Sequence, residues 1–413
     1  MPKTAPEIRR GAPAKPATTR RAAWLLGPAL VAGVAYIDPG NVASNMTAGS
    51  QFGYLLVWVV VLANLIAWLV QYLSAKLGLI TGESLPQAMG RRIRNPWGRR
   101  AYWLQAELVA MATDIAEVIG GAVALNLLFR IPLLAGGVIT GVVSMALLLV
   151  QSRRGARTFE FVVIGLVAII GFGFAFGVFV APPDAASVVH GLVPRFDGPD
   201  SVLLAASILG ATIMPHAIYA HSALTRDRFA GTTVTPERLL RATRWDVTIA
   251  LTIAGTVNLC ILLLAAANLA GVPGTATLEG AYAALRDGVG PAVATIFAIG
   301  LLASGLASTS VGAYAGAEIM HGLLHIRVPL LARRLVTLIP ALVILGLGID
   351  PTLALVLSQV VLSFGIPFAL IPLVVLTARL GRFRNTITTS LLGVAASVFL
   401  IGLNAVLLFL TFT

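Results

Sequence analysis

Ala35-Tyr36-Ile37-Asp38-Pro39-Gly40-Asn41 interrupts the first apolar run of the chain. Proline removes a backbone donor and glycine permits non-helical torsions, so a helix entering this heptapeptide has to unwind, with an acid at the break. A second interruption, Ala211-Thr212-Ile213-Met214-Pro215-His216, falls in the sixth apolar run. In hydrocarbon, irregular backbone is tolerated only where it is buried in protein or lines a cavity, and broken helices near the midplane are the usual substrate sites of secondary transporters. Two breaks five runs apart predict an inverted repeat, with residues of about 25–180 mirrored by 201–376 and an extra helix at 387–410. Beyond the shared interruption, the halves show no convincing residue-level identity.

Composition places these breaks in a membrane. Of 413 residues, 58% are apolar and 11% charged, whereas soluble domains carry about 25% charged residues. Apolar runs and their Gly, Pro and charged punctuation give eleven spans: 25–50, 54–79, 102–129, 132–150, 158–180, 201–224, 246–270, 291–320, 334–348, 351–376 and 387–410. Loop charge tests the count. With the N-terminus in the cytoplasm, all of the 29 Lys and Arg except Arg130, Arg195 and Arg286 fall on cytoplasmic tails, loops or helix ends, as the positive-inside rule requires. The expectation is an all-α polytopic protein with its C-terminus outside. Residues 1–22 read as a disordered basic tail and 23–413 as one transmembrane domain. The net charge of +12 is spread over short gaps without an aromatic-interleaved patch, which excludes nucleic acid as a partner. A single cysteine, Cys260, excludes an internal disulfide or a thiolate cluster.

Ionisable side chains inside spans cost several kcal/mol (about 3 on insertion scales) unless they are paired or face a polar cavity. Deep in the apolar runs stand Asp38, Glu107, Asp114, Glu117 and His216, with His221 one turn further. The two breaks together offer the Asp38 carboxylate, the Asn41 amide oxygen, the Met214 thioether and backbone carbonyls near Ala35 and Ala211. Hard ions such as Mg²⁺ and Ca²⁺ want oxygen alone, so this mixed set favours Mn²⁺, Fe²⁺ and later transition metals.

Asp-Pro-Gly-Asn in the first span and Met-Pro-His in the sixth resemble the natural resistance-associated macrophage protein (Nramp) family of divalent metal transporters. Met111-Ala112-Thr113-Asp114-Ile115-Ala116-Glu117-Val118-Ile119-Gly120-Gly121 looks like that family's acidic third helix, and Ser358-Gln359-Val360-Val361-Leu362-Ser363 like its tenth. The resemblance covers about residues 25–410. It implies a LeuT-type fold and import of Mn²⁺, Fe²⁺ and similar ions with protons moving the same way. It also implies metal ligation by Asp38, Asn41, the Ala35 and Ala211 carbonyls and Met214, with Gln359 a further oxygen. The chain departs from the family at Phe364-Gly365-Ile366-Pro367-Phe368, where many members read Leu-Gln-Leu-Pro-Phe. Members that carry Mg²⁺ lack the methionine, so Met214 points away from that branch.

Asp114 and Glu117 share a helix face, with Glu107 two turns back on the same stripe. Three like charges in a low dielectric cannot all ionise, so the stripe, with Asp38 and His216, forms the expected proton pathway. Arg333 and Arg334, which the resemblance sets beside the acidic helix, supply compensating charge. Pro39, Gly40, Pro215 and His221 are expected to gate or pack. Glu160, Asp246 and Glu318, near cytoplasmic helix ends, are expected to pair with arginines. Asn258 and Asn268 are candidates for the outer path.

The function expected is alternating-access import of a divalent metal across the plasma membrane. The metal and H⁺ are substrates, with no resident cofactor, no required protein partner and no enzymatic activity. The competing readings are a LeuT-fold carrier of a small organic substrate, which the Asp38 anion disfavours, and Mg²⁺ transport by a divergent relative.

Overall fold

A computed structural model describes residues 27–412 apart from Gly155, and leaves undescribed the side chains of residues 34, 150–164 and 310. The basic tail expected over 1–22 lies outside the described residues. Every described element is helical: α1 (Pro28–Gly33), a 3₁₀ turn (Val34–Ile37), α2 (Pro39–Phe52), α3 (Val57–Thr81), α4 (Leu85–Arg92), α5 (Pro96–Phe129), α6 (Leu133–Arg154), α7 (Ala156–Val180), α8 (Ala185–His190), α9 (Gly198–Ile213), α10 (Pro215–Phe229), α11 (Pro236–Asn268), α12 (Leu278–Gly288), α13 (Pro291–Leu324), α14 (Leu330–Gly346), α15 (Pro351–Thr377), a 3₁₀ turn (Gly381–Phe383) and α16 (Ile387–Phe412).

Proline writes many of these boundaries. It stands at the first helical position of α2, α5, α10, α11, α13 and α15, where its missing N–H is one that a helix start leaves unpaired anyway. α4 starts with a full capping box, the Ser84 hydroxyl accepting from the Gln87 N–H while the Gln87 side chain accepts from the Ser84 N–H.

Among the described residues seven helical stretches are long and apolar enough to cross a membrane, with the pair α9–α10 counted as one. The other four expected spans are the broken pair α1–α2 and the helices α6, α7 and α14. Several boundaries differ from the sequence reading, among them the start of the third span at Pro96. The seventh span begins at Pro236, so Arg238, Arg241 and Arg244 ride on its first turns. The ninth begins at Leu330, which puts Arg333 and Arg334 inside the helix. The gap at 181–200 contains the short helix α8, its start capped by Asp184.

Burial orders the bundle. The pair α9–α10 is buried along nearly all of its length and α16 is mostly exposed, so the second broken pair is the axis and α16 a peripheral addition. Around the axis α2 packs on α11, α9 on α15, α10 on α3 and α13 on α5. Both breaks are thereby enclosed by continuous helices.

Candidate metal-transport site

The first break is compact. A single 3₁₀ turn carries the chain from α1 to Asp38, whose extended backbone (ψ 168°) makes it the N-cap of α2. Its Oδ1 accepts from the Asn41 backbone N–H at 2.8 Å and from Asn41 Nδ2 at 2.9 Å. This is the ordinary use of an aspartate at a helix start, placed here in the interior with no exposure. The carbonyls released by the turn find two braces. Asn258 Nδ2 on α11 donates to the Tyr36 carbonyl at 2.8 Å, and Ser304 Oγ on α13 donates to the Ile37 carbonyl at 2.5 Å.

The second break rests on one residue. Met214, wholly buried, has φ 32° and ψ 101° between the end of α9 and Pro215 at the start of α10. A non-glycine residue at positive φ is strained, and such strain persists only where surrounding packing over-determines it.

Asn41 ties the breaks together. Its Nδ2 donates to the Ala211 carbonyl at 2.7 Å as well as to Asp38, and its Oδ1 accepts from Thr212 Oγ1 at 3.3 Å. Both Nδ2 partners are pure acceptors, which fixes the orientation of the amide. Asp38, Asn41 and Ala211 are therefore in one cluster, three residues from Met214. Gln359 joins it from α15: a Cβ on Gly40 would stand 1.8 Å from Gln359 Nε2, and one on Gly210 1.9 Å from the Gln359 carbonyl. Only glycine at those two positions lets α15 lie against both breaks. Asp38 Oδ2 and Gln359 Oε1 are buried without a hydrogen-bond partner among the described residues. Among the described residues no hydrogen bond ties the Ala35 carbonyl to this cluster, while Ala35 itself is buried in the 3₁₀ turn that leads to Asp38.

Behind the first break lies the acidic stripe. Pro39 packs on Gly120 of α5, one turn beyond Glu117. Asp114 accepts from Arg333 Nη1 at 3.1 Å and from Arg334 Nη1 at 2.8 Å, and Glu117 from Arg334 Nη1 at 3.0 Å. Glu107 accepts from Arg333 Nη2 at 2.9 Å. Arg334 is further held by Ser144 and Thr309. His216 Nδ1 meets Thr113 Oγ1, one residue before Asp114, at 3.0 Å. The stripe thus places three carboxyls against two guanidiniums, one acid more than the arginines neutralise. His221 stands apart from it: its Nδ1 donates to Gln71 Oε1 at 2.7 Å and braces α10 on α3.

Both approaches to the cluster are closed. On one side the Ser44 and Ser207 hydroxyls meet at 2.6 Å, and Ser207 donates to the Val356 carbonyl, joining α2, α9 and α15. Beyond that bridge opens a depression of about 350 Å³ lined by Thr47, Gln51, Asp200, Thr277, Asp350 and Thr352. Glu279 of the loop helix α12 is nearby; burial pushes its carboxyl above the ordinary value and the Asp350 charge adds to this. On the other side Tyr102 bonds the Tyr219 hydroxyl at 3.2 Å and donates to the Phe368 carbonyl at 2.6 Å. There, too, Asp246 accepts from the Gly27 and Ala29 backbone N–H groups at the start of α1, at 3.1 and 2.9 Å. Glu318 pairs with Arg226, as expected, and Asp246 also anchors the start of α1. The Glu160 side chain lies outside the described residues.

Residues 29–410 match the family described as natural resistance-associated macrophage protein-like. The chain belongs to the Nramp family. A relative named divalent metal cation transporter MntH, from Mycobacterium tuberculosis, is 59% identical over 402 residues, which cover 96% of this chain and 94% of the relative. The protein of that name from Deinococcus radiodurans is 46% identical over 404 residues, 96% of this chain and 92% of its own. Among solved structures, a mutant of the manganese transporter of Eremococcus coleocola superposes with a TM-score of 0.83 at 34% identity, covering 96% and 89% of the two chains. MhsT, solved with L-phenylalanine, superposes at 0.61 with 13% identity over 95% and 98%, a likeness of fold alone. The Nramp relatives are transporters and not enzymes, and the architecture is the LeuT-type bundle with a helix added after the repeat.

Several contributors escaped the sequence reading. Asn258 braces the first break from within, where an outer-path position was the expectation. Ser304, Ser44, Ser207 and Thr212 carried no signal, because small hydroxyl residues in apolar helices read as close-packing positions.

Proposed function

We propose that this Nramp protein, a multi-pass divalent metal cation transporter, imports Mn²⁺, Fe²⁺ and similar ions across the plasma membrane together with protons, by alternating access. The observation that carries this is the convergence of Asp38, Asn41 and Gln359 on the Ala211–Met214 break, with one carboxylate oxygen and one amide oxygen buried and unpartnered. Buried polar atoms are normally paired. A dication satisfies both oxygens, and a thioether one turn away admits transition metals while offering nothing to alkaline-earth ions.

Binding exchanges one set of bonds for another. The Asn41 amide, holding Asp38 and the Ala211 carbonyl in the closed cluster, rotates to present its oxygen and frees both groups to the metal. The charge arriving beside Asp38 expels any proton there. The excess carboxyl of the α5 stripe receives it, because two guanidiniums leave one of three acids uncompensated. Opening toward the outside separates Ser44 from Ser207. Opening toward the cytoplasm parts Tyr102 from Tyr219 and releases α1 from Asp246. The basic loop residues support an N-terminus inside and a C-terminus outside.

The fold alone admits an amino-acid substrate, but a carboxylate at the first break repels a substrate carboxylate. Met214→Ala separates the metal branches. In proteoliposomes the variant is expected to keep Mn²⁺ uptake within about tenfold of wild type while becoming sensitive to excess Ca²⁺ or Mg²⁺. Uptake indistinguishable from wild type under that competition assigns the methionine to packing and returns the metal reading to question.

The acidic depression gives a further expectation. Asp200→Asn with Asp350→Asn raises the apparent KM for Mn²⁺ about threefold or more at low salt and leaves kcat unchanged, since steering by surface charge acts on encounter. At about 0.5 M salt the difference from wild type shrinks, as screening demands. Uptake over a metal titration at two ionic strengths checks this.

A further inference from the structure

The stretch between α8 and α9 is stitched onto the start of α3. The Trp58 backbone N–H donates to the Gly191 carbonyl at 3.0 Å, and its indole Nε1 donates to the Arg195 carbonyl at 3.2 Å. The Phe196 ring stands edge-on to Trp58 at 5.4 Å. These contacts fix Arg195 at the junction of two depressions, one apolar and one of mixed lining. One, of about 550 Å³, is almost entirely apolar, lined by Trp58, Val61, Leu62, Leu65, Phe196 and Phe399 among others. The other, of about 710 Å³, carries Gln51, Tyr54, Ser187, His190 and Asp197, and shares Arg195 with the first.

The apolar slot runs along the face of α3 from Trp58 to Leu65, roughly 10 Å at the rise of a helix, and meets α16 at Phe399. Leu65 is 62% exposed on its wall, so in a bilayer the slot faces hydrocarbon. The Arg195 guanidinium lies against the His190 ring, 3.1 and 3.2 Å from its two nitrogens, of which a neutral imidazole accepts at one only, and has no carboxylate partner among the described residues, although Asp197 is two residues away. Aromatic rings with an arginine at their polar end are the usual arrangement at a membrane interface. Here they enclose a slot, and cation and anion stand together on its polar side.

We propose that this paired depression is a binding site for one glycerophospholipid with an ammonium headgroup: an acyl chain lies in the slot, the phosphodiester meets Arg195 and the ammonium faces Asp197. A guanidinium fork suits a phosphodiester, and a carboxylate so near favours a zwitterionic head over an anionic one. A lipid in this place ties the α8–α9 stretch to α3 and α16, the peripheral helix with little buried surface of its own.

The test is native mass spectrometry of the purified protein titrated with phosphatidylethanolamine, phosphatidylglycerol, or glycerophosphoethanolamine, the last a headgroup without tails. Wild type is expected to retain one phosphatidylethanolamine under activation that strips other lipids, to hold phosphatidylglycerol more weakly, and to hold no glycerophosphoethanolamine. Arg195→Gln, on an exposed residue, is expected to weaken retention about tenfold, and Leu62→Trp to abolish it by filling the slot. Leu391→Trp, on the lipid face at the other end of α16, is the control and retains the lipid. Equal retention by wild type, Arg195→Gln and Leu62→Trp overturns the site. Equal affinity for the two phospholipids overturns the headgroup assignment, and binding of the tailless headgroup overturns the role of the slot.

Discussion

Asp38→Asn abolishes metal uptake, with an expected fall of at least about a hundredfold in proteoliposomes loaded with a metal-sensing dye. The substitution is nearly isosteric. An asparagine oxygen still accepts from the Asn41 backbone N–H, the bond that caps α2, so the break keeps its shape and the protein its fold. What disappears is the single full negative charge at the joined breaks. A dication leaving water gives up a large hydration energy, and neutral oxygens and a thioether do not replace it without a carboxylate. The readout therefore pairs uptake with thermal stability: a fold intact within about 1 kcal/mol and transport lost. Uptake above a tenth of wild type in a stable variant overturns the placement of the metal at this aspartate.

Arg334→Leu has the largest expected effect on stability. The guanidinium is fully buried and bonds Asp114, Glu117, Ser144 and Thr309 at once. Removing it leaves Arg333 alone against three carboxyls. Breaking a buried pair by deleting one partner costs about 3–5 kcal/mol, because the other charge stays buried without compensation. The variant is expected to unfold at lower temperature and to recover partly when Glu117→Gln is added, since the second change removes the charge the first one stranded. A coupling of that sign in a double-mutant cycle identifies the network as an electrostatic unit. Additive losses assign Arg334 to packing. The Glu117→Gln single variant carries a different expectation: near wild-type stability with metal uptake uncoupled from internal acidification, which a pH dye inside the vesicles reads directly.

The helical class, the spans, the interruption at Asp38-Pro39-Gly40-Asn41 and at Met214-Pro215 and the bilayer as solvent were legible from residues alone. Each follows from a local rule: apolar run length, the proline that lacks a donor, and the cost of charge in hydrocarbon. The boundary differences are of another kind. Pro236 opens α11 well before its apolar stretch begins, because a helix continues into water as amphipathic turns that hydropathy does not see. The i, i+3 spacing of Asp114 and Glu117 gave the acidic stripe, and the resemblance gave its arginine partners.

Which side chains meet across the bundle was decided only by tertiary structure. That Asn41 reaches the Ala211 carbonyl, 170 residues away, depends on α2 and α9 crossing at their broken ends. The bracing of the Tyr36 carbonyl by Asn258 and of α1 by Asp246 depends on the register of α11 against α1. A side chain's sequence neighbours report whether it sits in hydrocarbon, while its partners are set by helix packing angles and glycine contacts such as Gly40 and Gly210 on Gln359. Hydrophobicity is a local and additive property, so the sequence alone determined the membrane and the two breaks. Hydrogen bonding requires atoms brought to within about 3 Å, so the closed cluster, the hydroxyl bridges on either side of it and the slot beneath Arg195 exist only in the folded chain.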